Sequence, residues 1–184
     1  MNYIGLQVTT NFSFLRGASH PEELVEQAAA LGYKEIAITD RNSLAGIVRA
    51  HVAARKSGIR LIPGCRLDLL DGPSLLAYPA NLQAYAQICS LLSTGNLRAE
   101  KGKCHLYKTD IYSCAKDIKW IILPPTELNE QLDFSNDFRQ ELREYRDALG
   151  QDLYLAVRRP YQGNDAKQLY RLFQLSGSLQ IPMV

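Results

Sequence analysis

The amino-acid sequence predicts an α/β fold, in which the strands of a parallel sheet alternate with helices that lie outside the sheet. Short apolar runs of strand length alternate along the chain with longer stretches whose apolar residues recur at helical spacing. The longer stretches begin at residues that cap helices and end near glycine. The 184 residues, of which 46% are hydrophobic and 22% charged, are enough for one domain with a sizeable core.

In the first third of the chain two helices alternate with three predicted strands, which cover residues 3–8, 35–39 and 60–62. Ser19, with Glu22 three residues later, forms the pattern of a capping box and predicts a helix that ends at Gly32. The second helix, over residues 43–56, is followed by Gly58, and its predicted inward face carries Leu44, Ile47, Val48 and His51. This order is typical of parallel strands joined by helices.

The pattern continues with four further strands, predicted over residues 75–78, 119–123, 152–157 and 181–184. Asn81 can cap a helix that runs to Ser93 and is closed by Gly95. A polar stretch follows, and a short helix starts near Thr109. A helix from Ser135 to residue 149 has as its inward residues Phe138, Leu142, Tyr145 and Leu149. The last helix, over residues 164–179, carries Leu169, Leu172 and Phe173.

Seven strand–helix units suit a closed barrel, but a doubly wound open sheet has the same pattern and periodicity cannot separate the two. The final apolar run, residues 181–184, begins a seventh strand inside which the chain stops. A strand cut in this way leaves its ladder partners without a neighbour. We therefore expect residues 1–184 to be a single domain, truncated in its last strand and taken from a longer protein, of which the resemblance described below implies that it is the N-terminal part.

Composition and charge exclude several classes of protein. The net charge of +2 is too small to indicate nucleic-acid binding by itself, so contact with DNA would need a local basic patch. No apolar run approaches the roughly 20 residues needed to cross a bilayer. The four cysteines contain no C-x-x-C pair, which disfavours a zinc ribbon or a thioredoxin-like motif. These features favour a reduced, cytoplasmic protein that does not contact membranes.

Several segments, in order, carry a family resemblance. The run 11–25, NFSFLRGASHPEELV, continues into AALGY at 29–33 and AITD at 37–40, and later come LIPG at 61–64, KGKCHL at 101–106 and LYLAV at 153–157. Together they resemble the PHP (polymerase and histidinol phosphatase) domain of C-family bacterial DNA polymerases, in the error-prone, alpha-subunit-like branch. The resemblance spans nearly the whole chain. It implies a PHP-type distorted (β/α)7 barrel.

The resemblance also implies a cluster of divalent metal ions at the carboxyl ends of the strands. Active relatives resemble one another in a His-x-His after the first strand, an acidic residue or His in the next loop, an Asp-His pair after the second strand and a Glu after the third. This sequence departs from that pattern at nearly every position and carries instead Gln7, Thr9, Arg16, Asp40 followed by Arg41, and Arg66. Glutamine and threonine are weak divalent ligands, and arginine repels cations. We therefore predict neither a metal ion nor a catalytic residue in this domain.

The three arginines bring positive charge to the place where the resemblance puts metal ions. Arg16 or Arg41 could pair with Asp40 and hold the loops together, or the arginines could bind a phosphate of DNA or a nucleotide. The third possibility is that the three arginines are exposed at loop tips and have no role. A second basic region could contact DNA or another polymerase domain, although a solvated loop is the simpler reading. Its candidate residues are Arg98, Lys101, Lys103 and Lys108.

The function implied by the resemblance is a non-catalytic scaffold domain of an error-prone DNA polymerase. The longer protein would carry out DNA-templated nucleotidyl transfer with Mg²⁺ in lesion bypass and repair synthesis. Its partners would be the downstream polymerase domains, DNA bound through them, and other mutagenesis or replication proteins. The alternative is an active metal-dependent phosphoesterase or 3′–5′ exonuclease of the same superfamily.

Overall fold

The structure is a computed structural model that describes residues 3–114, 116–159, 161 and 163–184. Helices and strands alternate through most of this part of the chain, as the sequence predicts. Their order is α1 (Pro21–Ala30), β1 (Glu35–Ile38), α2 (Ile47–Ser57), β2 (Arg60–Pro63), β3 (Cys65–Leu67), β4 (Leu75–Pro79), α3 (Leu82–Leu97), α4 (Lys108–Ser113), β5 (Ile118–Ile122), α5 (Asn136–Leu149), β6 (Leu153–Leu155) and α6 (Asp165–Leu179).

The strands form a parallel pair, β1–β2, and a mixed sheet in the order β3–β4–β5–β6. The prediction of a wholly parallel sheet is wrong, because β4 runs antiparallel to both β3 and β5. Sequence analysis also missed β3. Its connection to β4, residues 68–74, contains no helix, and so short a connection joins antiparallel strands. A bridge between Arg41 and Arg66 links the continuation of β1 to β3.

Both ends of the described chain lie along the strands. Instead of the strand predicted over residues 3–8, the structure has one bridge, between Gly5 and Ile36, and a hydrogen bond from the Thr39 N–H to the Val8 carbonyl at 2.8 Å. The predicted seventh strand, likewise, is one parallel bridge between Met183 and Leu155 in β6. β6 is itself shorter than predicted.

The starts of α1 and α2 differ from the predictions, whereas the N-cap of α3 agrees. α1 starts one residue late, because His20 is its N-cap and donates its N–H to the Glu23 carboxylate at 2.8 Å. α2 starts at Ile47 rather than residue 43, and its buried face consists of Ile47 and alanines, leaving Val48 and His51 exposed. Asn81 caps α3 as predicted, through its side chain and the Ala84 N–H at 2.8 Å.

The core confirms one predicted helix face and corrects one predicted helix end. The four residues predicted to point inward from α5 are all buried. Gly95 does not end α3, which continues to Leu97. Gly95 is buried, and the side chains of Cys104 and Leu106 pack so close to its Cα that a larger residue would not fit there without a shift of these side chains. Of the apolar residues that the predicted last helix carries, Leu172 is buried, whereas Phe173 is 65% exposed. A smaller apolar cluster around Leu76, Tyr78 and Ile121 fills the space beside β1 and supports the loops that follow it.

Candidate functional site

Asp40 is the only acidic residue kept from the expected ligand pattern, and the structure buries it to 1% exposure. One carboxylate oxygen accepts hydrogen bonds from the Thr10 N–H at 2.8 Å and the Ser13 hydroxyl at 2.6 Å. The other oxygen accepts from the Thr10 hydroxyl at 2.8 Å. The Ser13 oxygen in turn accepts the Arg41 N–H at 2.9 Å. Asp40 therefore joins the loop before α1 to the end of β1.

The loop held by Asp40 is closely packed on itself. The Ser13 N–H donates to the Thr10 carbonyl at 3.0 Å, and the Gly17 N–H donates to the Ser13 carbonyl at 3.2 Å. A Cβ atom at Gly17 would lie 2.3 Å from the Thr10 carbonyl oxygen, so the backbone leaves no room for a side chain. At the tip, Phe14 and Leu15 are almost fully exposed, and Leu15 adopts a φ of 59°. The close packing of the loop backbone therefore requires glycine at position 17.

Of the three possibilities for the arginines, pairing of Arg16 or Arg41 with Asp40 is not what the structure has, because the Asp40 oxygens accept from Thr10 and Ser13. The carboxylate that pairs with the arginines is Asp68, which lies 2.8 Å from Arg66 Nε and 3.3 Å from Arg41 NH1. The Ser74 hydroxyl also donates to Asp68 at 2.6 Å, and the Asp68 N–H donates to the Asn42 side chain at 2.9 Å. Sequence analysis missed Asp68. Its signal was the spacing of two from Arg66, which puts both side chains on one face of extended backbone.

The positive charges of Arg66 and Arg16 both affect the pKa of Arg41. The pKa of the Arg41 guanidinium is lowered, first by burial and then by repulsion from Arg66, with Arg16 adding to the repulsion and Asp68 opposing it. Burial would raise the pKa of Asp68, but hydrogen bonds from Ser74 and Arg66 and the positive charge of both paired arginines lower it overall. Two guanidinium groups therefore share the carboxylate of Asp68, and the cluster carries excess positive charge.

Replacing Asp68 tests this arrangement through its pH dependence. Because the folded-state pKa of Asp68 is depressed, its stabilising effect is present above the unfolded-state pKa, about 4, and is lost as the pH falls through the folded-state value. We expect Asp68→Asn to be roughly 1–2 kcal/mol less stable than the parent at pH 7, with the difference shrinking below about pH 4. Urea unfolding at several pH values measures it, with the exposed Asp147→Asn as the matched control. A difference independent of pH would contradict the ion pairs.

Of the two remaining former ligand positions, Gln7 lies at another place on the surface. Gln7 is exposed and faces a different depression, of about 410 Å³, which it lines together with Arg158 and Arg159. Thr9 is half-buried. Within the described ranges, no group of three or more His, Cys, Asp and Glu side chains is placed to hold a metal ion.

The residues present do not fit the divalent ions that the resemblance implies. The Asp40 oxygens already accept three hydrogen bonds from Thr10 and Ser13, and this hydroxyl-lined contact is closed by Gly46, where a Cβ would lie 2.9 Å from the carboxylate. Asp68 lies between two guanidinium groups, whose charge repels a cation. Both carboxylates are thus used to hold the protein's own loops together.

The predicted basic region separates into three parts. Arg98 pairs with Asp110 at 2.6 Å, and Lys108, in α4, pairs with Glu144 of α5 at 2.8 Å. Lys101 and Lys103 instead line an open groove of about 540 Å³, and Arg41 lies on the opposite wall of that groove. Two of the four basic residues are therefore placed next to the arginine cluster, a proximity that sequence reasoning did not predict.

Two solved structures define the class of fold. An amidohydrolase from Chromobacterium violaceum, solved with bound sulfate and no metal, has a TM-score of 0.70 at 15% identity, covering 98% of this chain and 84% of its own. A protein from Bifidobacterium adolescentis assigned as a metal-dependent phosphoesterase has a TM-score of 0.67 at 17% identity, covering 99% and 85%. The chain thus has the α/β fold of these proteins; at such identities the likeness concerns the fold alone.

The family follows from sequence. A PHP domain family model matches residues 5–160, so the chain belongs to the PHP domain family. It is 46% identical over 183 residues to an error-prone DNA polymerase of Caulobacter vibrioides, and 40% identical over 188 residues to one of Brucella abortus. Each alignment covers 99% of this chain but only 16% and 17% of the respective relative. The chain therefore spans about a sixth of the length of these polymerases.

Proposed function

We propose that this domain is a non-catalytic, structural part of an error-prone DNA polymerase. The observation that carries the proposal is the use of Asp40, whose carboxylate oxygens accept hydrogen bonds from Thr10 and Ser13 and so join two loops of the same domain. A carboxylate engaged in this way stabilises a scaffold and is not free to organise metal ions. The domain would support the neighbouring polymerase domains as a rigid body.

The activity of the longer protein is part of the same proposal. We infer that the parent chain performs DNA-templated nucleotidyl transfer with Mg²⁺ during lesion bypass and repair synthesis in the cytoplasm. The name of the relatives, error-prone DNA polymerase, supports the polymerase part of this inference. The partners of this domain would be the polymerase domains downstream, DNA bound through them, and other mutagenesis or replication proteins. In that chain we expect the strands to complete a distorted seven-stranded barrel. In the described part of this chain, no helix is long and apolar enough to cross a membrane.

A metal titration tests the non-catalytic proposal against an active phosphoesterase or 3′–5′ exonuclease. We expect calorimetric titration with Mn²⁺ or Zn²⁺ to give no saturable one-to-one binding, and the protein not to hydrolyse a phosphodiester such as bis(4-nitrophenyl) phosphate, because the remaining carboxylates are engaged with hydroxyl and guanidinium groups. Asp40→Asn is the comparison variant. Stoichiometric binding and hydrolysis that both disappear in Asp40→Asn would show that Asp40 is a ligand and would overturn the proposal.

A further inference from the structure

The groove beside the arginine cluster has two well-supported walls. One wall is formed by residues 41–43, directly after β1, and the other by residues 100–104 between α3 and α4, with a volume of about 540 Å³ between them. The second wall is anchored, because the His105 N–H donates to the Gly95 carbonyl at 3.0 Å and the Leu106 side chain is fully buried. The groove is thus bounded by fixed backbone on both sides.

Positive charge exceeds negative charge around this groove. Its lining includes Arg41, Lys101 and Lys103 but one acid, Glu100, whose carboxylate already lies 3.0 Å from Lys103 Nζ. Arg41 shares the carboxylate of Asp68 with a second arginine. The protein's own carboxylates therefore leave part of the cationic charge uncompensated, and an anionic ligand would supply the missing charge.

The chemistry of the lining suits an anionic phosphate oxygen better than a neutral ligand. Asn42, Ser43 and Asn96, which are polar and uncharged, also line the groove. Cations on both walls of an open groove can contact successive charges along one chain, as in grooves that follow a nucleic-acid backbone. No aromatic ring lies among the groove-lining residues of the described chain, so base stacking has no part in this contact.

We propose that this groove binds the phosphodiester backbone of a nucleic-acid strand without a metal ion and without sequence preference. The proposal rests on the proposed function, because a domain of a DNA polymerase lies near such strands. It adds to that function a direct contact between this domain and nucleic acid. The contact is electrostatic, and it uses the arginine and lysine side chains of the two walls.

Paired charge removals at opposite ends of the domain test the proposal. Lys101→Ser with Lys103→Ser removes two charges from the groove, and Arg55→Ser with Lys56→Ser removes two exposed charges from the last turn of α2. α2 is about 16 Å long and ends beside the start of β2, whereas the groove lies beyond the other end of the β1–β2 pair. The two variants therefore have the same net charge but lose it at different places.

We expect the groove variant to bind a fluorescent oligothymidylate of about twelve nucleotides about tenfold more weakly than the parent in low salt. Fluorescence anisotropy measures the affinity. The groove variant's plot of log affinity against log salt should be less steep by about 1.4, the value for two lost phosphate contacts on a single strand. The α2 variant should keep the affinity and slope of the parent. Thermal melting of all three proteins checks that the variants fold equally well.

Three results would overturn the proposal: an equal loss in both variants, an unchanged affinity in the groove variant, or displacement of the oligonucleotide by a poly-glutamate peptide as readily as by unlabelled oligothymidylate. The last result would indicate an acidic protein segment as the ligand. Failure here leaves the non-catalytic role standing, because that role is decided by the Mn²⁺ and Zn²⁺ titration. Stoichiometric metal binding would overturn that role whatever the oligonucleotide does.

Discussion

Asp40→Ala is expected to lower the free energy of unfolding by about 3–5 kcal/mol, because each of the three donors that it satisfies is left buried without a partner at a cost of roughly 1–3 kcal/mol. For a chain of this size, the melting temperature should fall by roughly 10 °C. Thermal and urea unfolding followed by circular dichroism measure both quantities. A loss this large would make Asp40 one of the main structural residues of the domain.

Two comparison variants separate the hydrogen-bonding role of Asp40 from a charge-based one. Asp40→Asn keeps the shape and one acceptor oxygen, so it should cost clearly less than Asp40→Ala. Asp147→Ala removes an exposed carboxylate from α5 and should change the stability by no more than about 0.5 kcal/mol. If Asp40→Asn were as destabilising as Asp40→Ala, the acceptor oxygen that asparagine keeps would contribute nothing, and the hydrogen-bonding account of Asp40 would be wrong.

The sequence predicts the elements of this fold better than their pairing. The inward face of α5 and the N-cap Asn81 follow from periodicity and side-chain chemistry within a few residues, and the structure confirms them. The reversed direction of β4 does not follow from such patterns, because strand direction depends on which distant strands pair. Val48 was placed on the wrong face of α2 because small alanines, rather than the largest apolar residues, face α1.

The candidate site shows the same limit. The family pattern identifies Asp40, Arg41 and Arg66 as positions of interest, but it does not say which carboxylate the arginines contact. Asp68 lies outside the pattern and pairs with both arginines, whereas Asp40 pairs with hydroxyl groups thirty residues away in sequence. The groove that brings Lys101 close to Arg41 joins segments 60 residues apart and arises only from the packing of α3 against the sheet. Contacts between segments that are far apart in the sequence could not be predicted from the sequence patterns.

Gly17→Ala is expected to destabilise the domain by about 3 kcal/mol, through steric overlap with backbone atoms rather than loss of a contact. The new Cβ would lie 2.3 Å from the Thr10 carbonyl oxygen and 2.8 Å from that of Thr9, and neither can move aside as a flexible side chain would. Displacing Thr10 also breaks its two hydrogen bonds to Asp40. Urea unfolding measures the loss.

The matched control is the same substitution at Gly177 of α6, where a Cβ meets nothing within 4 Å. Gly177→Ala should stabilise the domain by about 0.5–1 kcal/mol, because alanine favours a helix over glycine. Since Gly17→Ala and Asp40→Ala disrupt the same loop, the double variant should lose clearly less than the sum of the two single losses. Additive losses would mean that the Gly17 turn and the Asp40 hydrogen bonds stabilise the domain independently.

Gly17→Ala also tests the proposed scaffold role when it is placed in a polymerase chain that contains this domain. If the domain supports its neighbours, nucleotide incorporation should be inactivated by heat at a lower temperature in this variant, although Gly17 is part of no catalytic group. Gly177→Ala should leave that temperature unchanged or raise it. Incorporation that persists while the PHP domain has melted would show that the polymerase domains do not depend on it, and would refute the scaffold role while leaving the steric account of Gly17 intact.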